Sequence, residues 1–261
     1  MSRIIVLFYG LACYAIGLAS LLYAIGFTTG LVVPKTIDTG DATPLGLAVA
    51  VDTLLVALFG AQHSIMARQG FKAWLTRFVP PAAERSTYVL FSAIALGVVF
   101  WQWRPIGGVV WSIGDQNLAT AATVVALLGW VLVLASSFLI NHFELFGLQQ
   151  VASNLVGAPM PSAKFRTPLL YKVVRHPLYL GLLVAFWSAP TMTVGHLLFA
   201  ALNTAYIFLG VALEERDLIA MFGDDYRRYK ARVPMLFPYR RSGEPVKTAA
   251  SVQPDTTAPG E

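Results

Sequence analysis

The sequence predicts an all-α membrane protein, a bundle of about five transmembrane helices followed by a helical segment near the C-terminus. Of its 261 residues, 56% are hydrophobic and only 13% are charged, which lies outside the composition of soluble globular proteins. Apolar runs of about 20 residues, the length a helix needs to cross the hydrocarbon layer, follow one another along the chain. The basic residues are divided unevenly between the connecting segments, as expected for a fixed membrane topology.

Four apolar runs are long enough to be single spans, and they cover residues 4–27, 45–66, 86–103 and 118–140. The first run is too long for the apolar core of a signal peptide, and no clear cleavage site follows it. A fifth run, residues 178–213, is interrupted around residues 188–191, where Pro190 breaks the helical pattern. Two interpretations are open: one crossing with a short re-entrant arm, or a helical hairpin that returns to its starting side.

The basic residues favour the hairpin. With the N-terminus inside, 17 of the 19 Lys and Arg residues lie in inner segments, and only Lys35 and Arg104 lie in outer loops. This asymmetry follows the positive-inside rule, and it requires the fifth run to return, so that both termini and the C-terminal helical segment are cytoplasmic. The net charge of +5 therefore indicates topology and contact with anionic membrane lipids rather than binding of nucleic acid.

Residues 1–241 are predicted to form a single integral membrane domain. Residues 242–261 are rich in Pro, Thr, Ala and Gly, and we interpret them as a disordered tail. Cys13 is the single cysteine, which excludes an intrachain disulfide and a cysteine-based metal site. The four histidines lie in separate segments without the spacing of a metal-binding motif, so no metal is expected.

Polar clusters occur at the inner end of every predicted helix after the first. Ionisable groups in a membrane protein are costly, which makes them candidates for function. Helix ends are often polar for structural reasons alone, but here the outer ends carry almost no charge. The sequence therefore predicts a polar pocket at the cytoplasmic interface. The clusters are Gln62 and His63; Glu84, Arg85 and Tyr88; Asn141, His142 and Glu144; Arg175, His176 and Tyr179; and residues 214–217.

Asp52 does not belong to these clusters. It precedes His63 by 11 residues, roughly 16 Å along a helix. We interpret it as a residue that forms a structural hydrogen bond within the bundle.

The C-terminal third carries a specific motif. Residues 175–181 read R-H-P-x-Y-x-G, residues 214–215 are E-E, residues 222–229 read F-G-x-x-Y-x-x-Y, and V-P follows at 233–234. This pattern strongly resembles the superfamily of isoprenylcysteine carboxyl methyltransferases and phospholipid methyltransferases, which are integral membrane enzymes that use S-adenosylmethionine.

The N-terminal half narrows the resemblance. Residues 62–67 (Q-H-S-I-M-A), 84–88 (E-R-S-T-Y), 103–105 (W-R-P) and 141–149 (N-H-F-E-L-F-G-L-Q) are similar to the nurim branch of that superfamily. Within this branch the chain resembles the bacterial methanethiol S-methyltransferases, which convert methanethiol into dimethyl sulfide and also act on small selenols. The resemblance implies a multi-pass protein of the bacterial inner membrane.

The resemblance also implies a cofactor site for S-adenosylmethionine. Arg175 can pair with the cofactor carboxylate through a bidentate fork, and Glu214 or Glu215 can bind the ribose hydroxyls or the amine. Aromatic rings can face the adenine or the sulfonium. Gly181 permits close approach of a helix or a ligand, and His176 opens the hairpin. The candidate cofactor-binding residues are Arg175, His176, Tyr179, Gly181, Glu214, Glu215, Tyr226 and Tyr229.

The methyl acceptor requires a means of removing its proton, because the thiolate and not the thiol is the nucleophile. His63 is the first candidate for the general base, with Glu84, Arg85, Tyr88 and His142 as alternatives or orienting partners. A lone histidine more often has a structural role. A small apolar thiol partitions into lipid, which is a physical reason for placing its enzyme in a membrane.

Three other functions are compatible with parts of the pattern. The acceptor can instead be a lipid amine or a prenyl-cysteine carboxylate, which requires a wide lateral opening between helices. The chain can be a non-catalytic membrane scaffold, which has no need to bind S-adenosylmethionine. A transporter is the third, but it needs polar groups along its whole depth, whereas here they cluster at one end.

Overall fold

The computed structural model describes residues 2–160 and 165–238, and these residues confirm the all-α class, with 73% in helices. The tail predicted at 242–261 lies outside the described residues. The helices are α1 (Arg3–Thr29), α2 (Leu45–Met66), α3 (Gln69–Leu75), α4 (Glu84–Gln102), α5 (Gln116–Ile140), α6 (His142–Leu145), α7 (Leu148–Val156), α8 (Pro177–Trp187), α9 (Val194–Phe222) and α10 (Asp224–Arg232). Short 3-10 turns occupy Pro81–Ala83 and Leu169–Lys172.

Five helices, α1, α2, α4, α5 and α9, are long and apolar enough to cross a membrane. The first four match the predicted spans to within a few residues, because the thickness of the hydrocarbon layer fixes the length of each apolar run. Large apolar side chains such as Phe8, Leu54 and Phe138 are more than half exposed on the outside of the bundle. Apolar surface of this kind is suited to contact with lipid chains.

Several helix ends are set by single residues. The Ser2 hydroxyl accepts from the Ile5 N–H at the start of α1, and Asp115 accepts from two N–H groups at the start of α5. These side chains satisfy backbone donors that have no partner within the helix. Gly30 ends α1 with a φ of 75°, a conformation that glycine adopts without strain.

The fifth apolar run forms a helical hairpin, as the distribution of charge predicted. At one end the Tyr179 hydroxyl of α8 donates to Glu214 of α9 at 2.9 Å, and at the other end His196 Nε2 lies 3.0 Å from the Phe186 carbonyl. The two arms differ in length. The 11 residues of α8 rise only about 16 Å, too little to cross a bilayer alone, whereas α9 has 29 residues.

A two-stranded antiparallel ribbon closes the hairpin turn. It pairs β1 (Val109–Ser112), between α4 and α5, with β2 (Thr191–Thr193), between α8 and α9. The Trp111 indole N–H donates to the Ala189 carbonyl at 3.1 Å. The sequence did not predict this ribbon. It ties the α4–α5 connection to the turn where Pro190 interrupts the apolar run.

Gly181 provides a close contact between two helices. A Cβ at Gly181 would lie 2.6 Å from the carbonyl oxygen of Gly129, and a Cβ at Gly129 would lie 2.7 Å from that of Gly181. Small residues allow membrane helices to approach so closely. The glycine pair therefore sets the distance between α5 and α8.

Asp52 forms the structural hydrogen bond that its position predicted. Its carboxylate is fully buried, and Oδ1 accepts from the backbone N–H of Arg104 at 2.8 Å. This bond fastens α2 to the chain that follows α4, at the end of the bundle away from the polar clusters.

Candidate active site

A cavity of about 760 Å³ lies at the polar end of the bundle, which we define as the end where α2, α5 and α9 finish and α4 and α8 begin. This volume is within the range of small-ligand sites. Four of the five predicted polar clusters contribute to its wall, whereas Gln62 and His63 do not. The contributing residues of these clusters are Glu84, Arg85, Asn141, Glu144, Arg175, His176 and Glu214.

Arg175 and Glu215 form a buried ion pair, with 2.7 Å between Nε and Oε1. Glu215 also lies 3.1 Å from His176 Nε2 and 2.6 Å from Lys230 Nζ. Nη1 of Arg175 donates to the carbonyls of Lys230 and Val233. Nε and Nη1 of the guanidinium that the sequence assigned to a cofactor carboxylate are thus engaged by the protein itself, and Glu215 is paired with three basic side chains. Arg175 lines the cavity, and Glu215 supports it from behind the wall.

The R-H-P and V-P motifs are joined through the backbone. Pro177 is the first residue of α8, where its missing N–H costs nothing. The N–H groups of Arg175 and His176, directly before it, donate to the carbonyls of Pro234 and Met235 at 2.9 and 3.1 Å. The segment after α10 is thereby fixed to the start of α8.

Glu214 is the member of the glutamate pair that faces the cavity. Consecutive residues of a helix point about 100° apart, so one carboxylate can be buried while the next remains accessible. The Glu214 side chain is 44% exposed, against 7% for Glu215. It accepts from the Tyr179 hydroxyl, which lies behind the cavity wall. Tyr179 therefore orients Glu214 and does not itself line the cavity.

Four aromatic rings form one side of the cavity, and we call them the aromatic set: Phe165, Phe222, Tyr226 and Tyr229. The Phe165 ring lies 5.4 to 5.9 Å from the other three ring centroids. The Tyr229 hydroxyl donates to the Tyr171 carbonyl at 2.6 Å, whereas the buried Tyr226 hydroxyl has no partner among the described residues.

Both tyrosines are hydrogen-bond donors at neutral pH. Burial raises the pKa of Tyr226 and raises that of Tyr229 to about 12. The sequence had marked the tyrosines but not the phenylalanines. Phe222 belongs to the F-G-x-x-Y motif, and Phe165 has no distinguishing sequence signal.

Another part of the cavity wall consists of three residues of α3 and α4, which we call the α3–α4 wall: Lys72, Glu84 and Arg85. Nε of Arg85 donates to the Leu145 carbonyl at 2.9 Å. One carboxylate oxygen of Glu84 and the side-chain oxygen of Gln150 are buried at the cavity without a hydrogen-bond partner in the described chain. The sequence did not identify Lys72 or Gln150 as site residues, because nothing distinguishes them from the other residues of the inner segments.

His63 and Tyr88 form a polar pair directly behind Arg85. The Tyr88 hydroxyl lies 2.7 Å from His63 Nε2, and Nδ1 lies 3.1 Å from the Ser92 hydroxyl. The imidazole stacks on Phe59. The Arg85 guanidinium carbon lies 5.1 Å from the centre of the Tyr88 ring. The two candidate residues are thus together, one layer deeper than the cavity wall.

His142, the alternative base, lies elsewhere. It is 2% exposed, its Nε2 is 3.1 Å from the Tyr14 hydroxyl, and its Nδ1 is 2.9 Å from the Ser137 hydroxyl. The ring stacks on Phe138 with centroids 4.1 Å apart. Burial lowers the pKa of His142, which keeps it neutral. With both nitrogens occupied and no contact with the cavity, His142 is a structural residue of the bundle, and we do not assign it to the site.

Within residues 2–160 and 165–238, no group of three or more His, Cys, Asp or Glu residues is arranged to hold a metal ion.

Comparisons with known proteins identify relatives over nearly the whole chain. Methanethiol S-methyltransferase 1 of Bradyrhizobium diazoefficiens is 59% identical over 92% of this chain and 84% of its own length. Methanethiol S-methyltransferase of Mycobacterium tuberculosis is 50% identical over 92% of this chain and 98% of its own length. Nurim of Mus musculus is 34% identical over 66% of this chain and 68% of its own length.

No family model matches the chain, and no solved structure is significantly similar to it. The similarity to these two methanethiol S-methyltransferases nevertheless covers more than nine-tenths of the chain, including the segments that line the cavity. The five apolar helices and the likeness to nurim make this an integral, multi-pass membrane protein. The chain belongs to the nurim family, in the branch whose bacterial members are methanethiol S-methyltransferases.

Proposed function

We propose that this chain transfers a methyl group from S-adenosylmethionine to methanethiol, which yields dimethyl sulfide, and that it also methylates methaneselenol. The observation that carries the proposal is the identity of 59% and 50% to two methanethiol S-methyltransferases along 92% of the chain. The cavity at the polar end supports it, because it combines aromatic rings with unpaired polar atoms.

The residues of the cavity suit the cofactor. The aromatic set offers ring faces for the adenine, and the unpaired Tyr226 hydroxyl offers a donor beside them. Glu214 offers a carboxylate for the ribose hydroxyls. When bound, the cofactor supplies a methyl group activated by a sulfonium, and the protein positions and orients it. The buried Arg175–Glu215 pair supports the cavity wall beside them.

We assign to the His63–Tyr88 pair the removal of the proton from the thiol that accepts the methyl group. A neutral imidazole has one acceptor nitrogen, and in our assignment Nε2 accepts from the Tyr88 hydroxyl while Nδ1–H donates to Ser92. We place the small thiol against the Tyr88 hydroxyl, one layer deeper than the wall of the cofactor cavity, so that its proton passes to the Tyr88 oxygen as the phenol proton passes to His63. The thiolate left behind is favoured by the positive charge of Arg85, which lies over the Tyr88 ring.

We place the cavity on the cytoplasmic side of the bacterial inner membrane, with both termini in the cytoplasm. The positive-inside distribution of 17 of the 19 basic residues supports this orientation.

The proposal is tested with the purified protein in lipid nanodiscs. S-adenosylmethionine and methanethiol are added, and dimethyl sulfide in the headspace is measured by gas chromatography. We expect product that increases with time and depends on both compounds, and dimethyl selenide when methaneselenol replaces methanethiol. Cofactor binding without product would favour a lipid or prenyl-cysteine acceptor, and absence of cofactor binding would favour a membrane scaffold.

A further inference from the structure

The α3–α4 wall carries two cationic groups that the protein leaves without partners. Among the described residues, neither Lys72 Nζ nor the Nη atoms of Arg85 make a hydrogen bond or an ion pair. Two neighbouring cations at this end of the bundle are paired: Arg68 with Asp217 at 2.9 Å, and Arg175 with Glu215 at 2.7 Å. Two like charges facing one cavity repel each other, and a bound anion would compensate them.

The pKa of Lys72 also indicates that the surroundings of these two cations lack negative charge. Burial lowers the pKa of Lys72, and the positive charge of Arg85 lowers it further. Glu84 acts in the opposite direction but does not restore the pKa to its ordinary value. An anion bound between Lys72 and Arg85 would stabilise both cations.

Glu84 adds a complementary feature to the same wall. Its Oε1 is buried without a hydrogen-bond partner in the described part of the chain. A buried carboxylate oxygen is costly to leave unpaired, and a cationic donor satisfies it best. The wall thus presents two cations and one open carboxylate oxygen, which is the complement of an α-amino acid with its carboxylate and its ammonium.

We propose that the α3–α4 wall binds the amino-acid end of the methyl donor, with Lys72 and Arg85 on its carboxylate and Glu84 on its ammonium. The inference rests on the proposed function and deepens it. Arg175 also lines the cavity, but its charge is already compensated by the buried carboxylate of Glu215, and its Nη1 donates to two carbonyls. Arg166 also lines the cavity, but its side chain is exposed, so water already solvates its charge.

Decarboxylated S-adenosylmethionine tests this assignment, since it lacks only the carboxylate. Binding of both compounds is measured by calorimetry on the full chain in nanodiscs, without a thiol. We expect the unmodified protein to bind S-adenosylmethionine about tenfold or more tightly than the decarboxylated compound. Lys72→Met should remove most of this preference by weakening S-adenosylmethionine alone. Arg85→Met should do the same, and Arg77→Met, which removes an exposed charge outside the cavity, should change nothing.

Each alternative outcome has a distinct meaning. A Lys72→Met protein that keeps the preference would overturn the inference, as would an equal loss of affinity for both compounds. Equal affinity of the unmodified protein for the two compounds would overturn the inference while leaving the proposed function intact. Failure of the unmodified protein to bind either compound would overturn both.

Discussion

His63→Ala is expected to lower kcat for methanethiol by about 10²- to 10⁴-fold, the usual contribution of a general base. The reason is that in the proposed relay His63, 2.7 Å from the Tyr88 hydroxyl, takes the phenol proton as Tyr88 takes the thiol proton. Affinity for S-adenosylmethionine should be unchanged, because His63 does not line the cavity. The measurement is initial rates of dimethyl sulfide formation together with a cofactor titration.

The pH dependence distinguishes a proton acceptor from a structural histidine. At high pH a growing fraction of the thiol is already ionised, so the His63→Ala enzyme should regain rate as pH rises. Tyr88→Phe, which keeps the ring beneath Arg85 but removes the hydroxyl, should show the same profile. A His63→Ala enzyme whose profile parallels that of the unmodified protein would contradict the role of the pair.

Glu215→Ala is expected to abolish binding of S-adenosylmethionine and to destabilise the protein by about 3–5 kcal/mol, the cost of leaving a buried charge without its partner. The substitution removes the carboxylate that holds Arg175, His176 and Lys230 together. Thermal unfolding in detergent and a cofactor titration measure the two effects.

Asp217→Ala is the matched control, two residues further along α9. It removes an ion pair with Arg68 in which both side chains are about a third to a half exposed. Such surface pairs contribute only about 0–1 kcal/mol, so stability and cofactor binding should stay close to those of the unmodified protein. Equal effects of Glu215→Ala and Asp217→Ala would contradict the buried cluster as the support of the cavity wall.

The spans could be predicted because the bilayer imposes a length on every apolar run. The hairpin was predicted from Pro190 together with the count of basic residues. If the whole fifth run had crossed the membrane only once, the eight basic residues after Glu215 would lie outside. The ribbon of β1 and β2 could not be predicted. Its two short segments, which end at Ser112 and begin at Thr191, are 79 residues apart, and only the tertiary structure brings Trp111 to the hairpin turn.

The location of the candidate site could be predicted for a related reason. Helices that begin and end at one interface bring their terminal residues to one depth, so polar clusters far apart in sequence meet. The roles of individual residues could not, because they depend on which atoms the fold has already paired. Arg175 and Glu215 have the chemistry of ligand-binding residues but are occupied by each other, and His142 is occupied by Tyr14 and Ser137.

Lys72 is the opposite case, a residue without a sequence signal that the structure places at the cavity. Nothing in the sequence separates it from the other inner basic residues, and its candidacy comes from the cavity it lines and from the partner it lacks among the described residues. An unpaired cation is a property of the folded chain and not of a motif.

We propose that the methyl donor binds in the cavity of about 760 Å³ at the polar end. An experimental structure of the protein with S-adenosylhomocysteine, the demethylated product, tests it most directly. We expect ligand density in this cavity, with the adenine against the aromatic set and the amino-acid end against Lys72 and Arg85. Density in the smaller cavity of about 390 Å³ beside Phe208 and Met235, on another side of α9, would contradict the account.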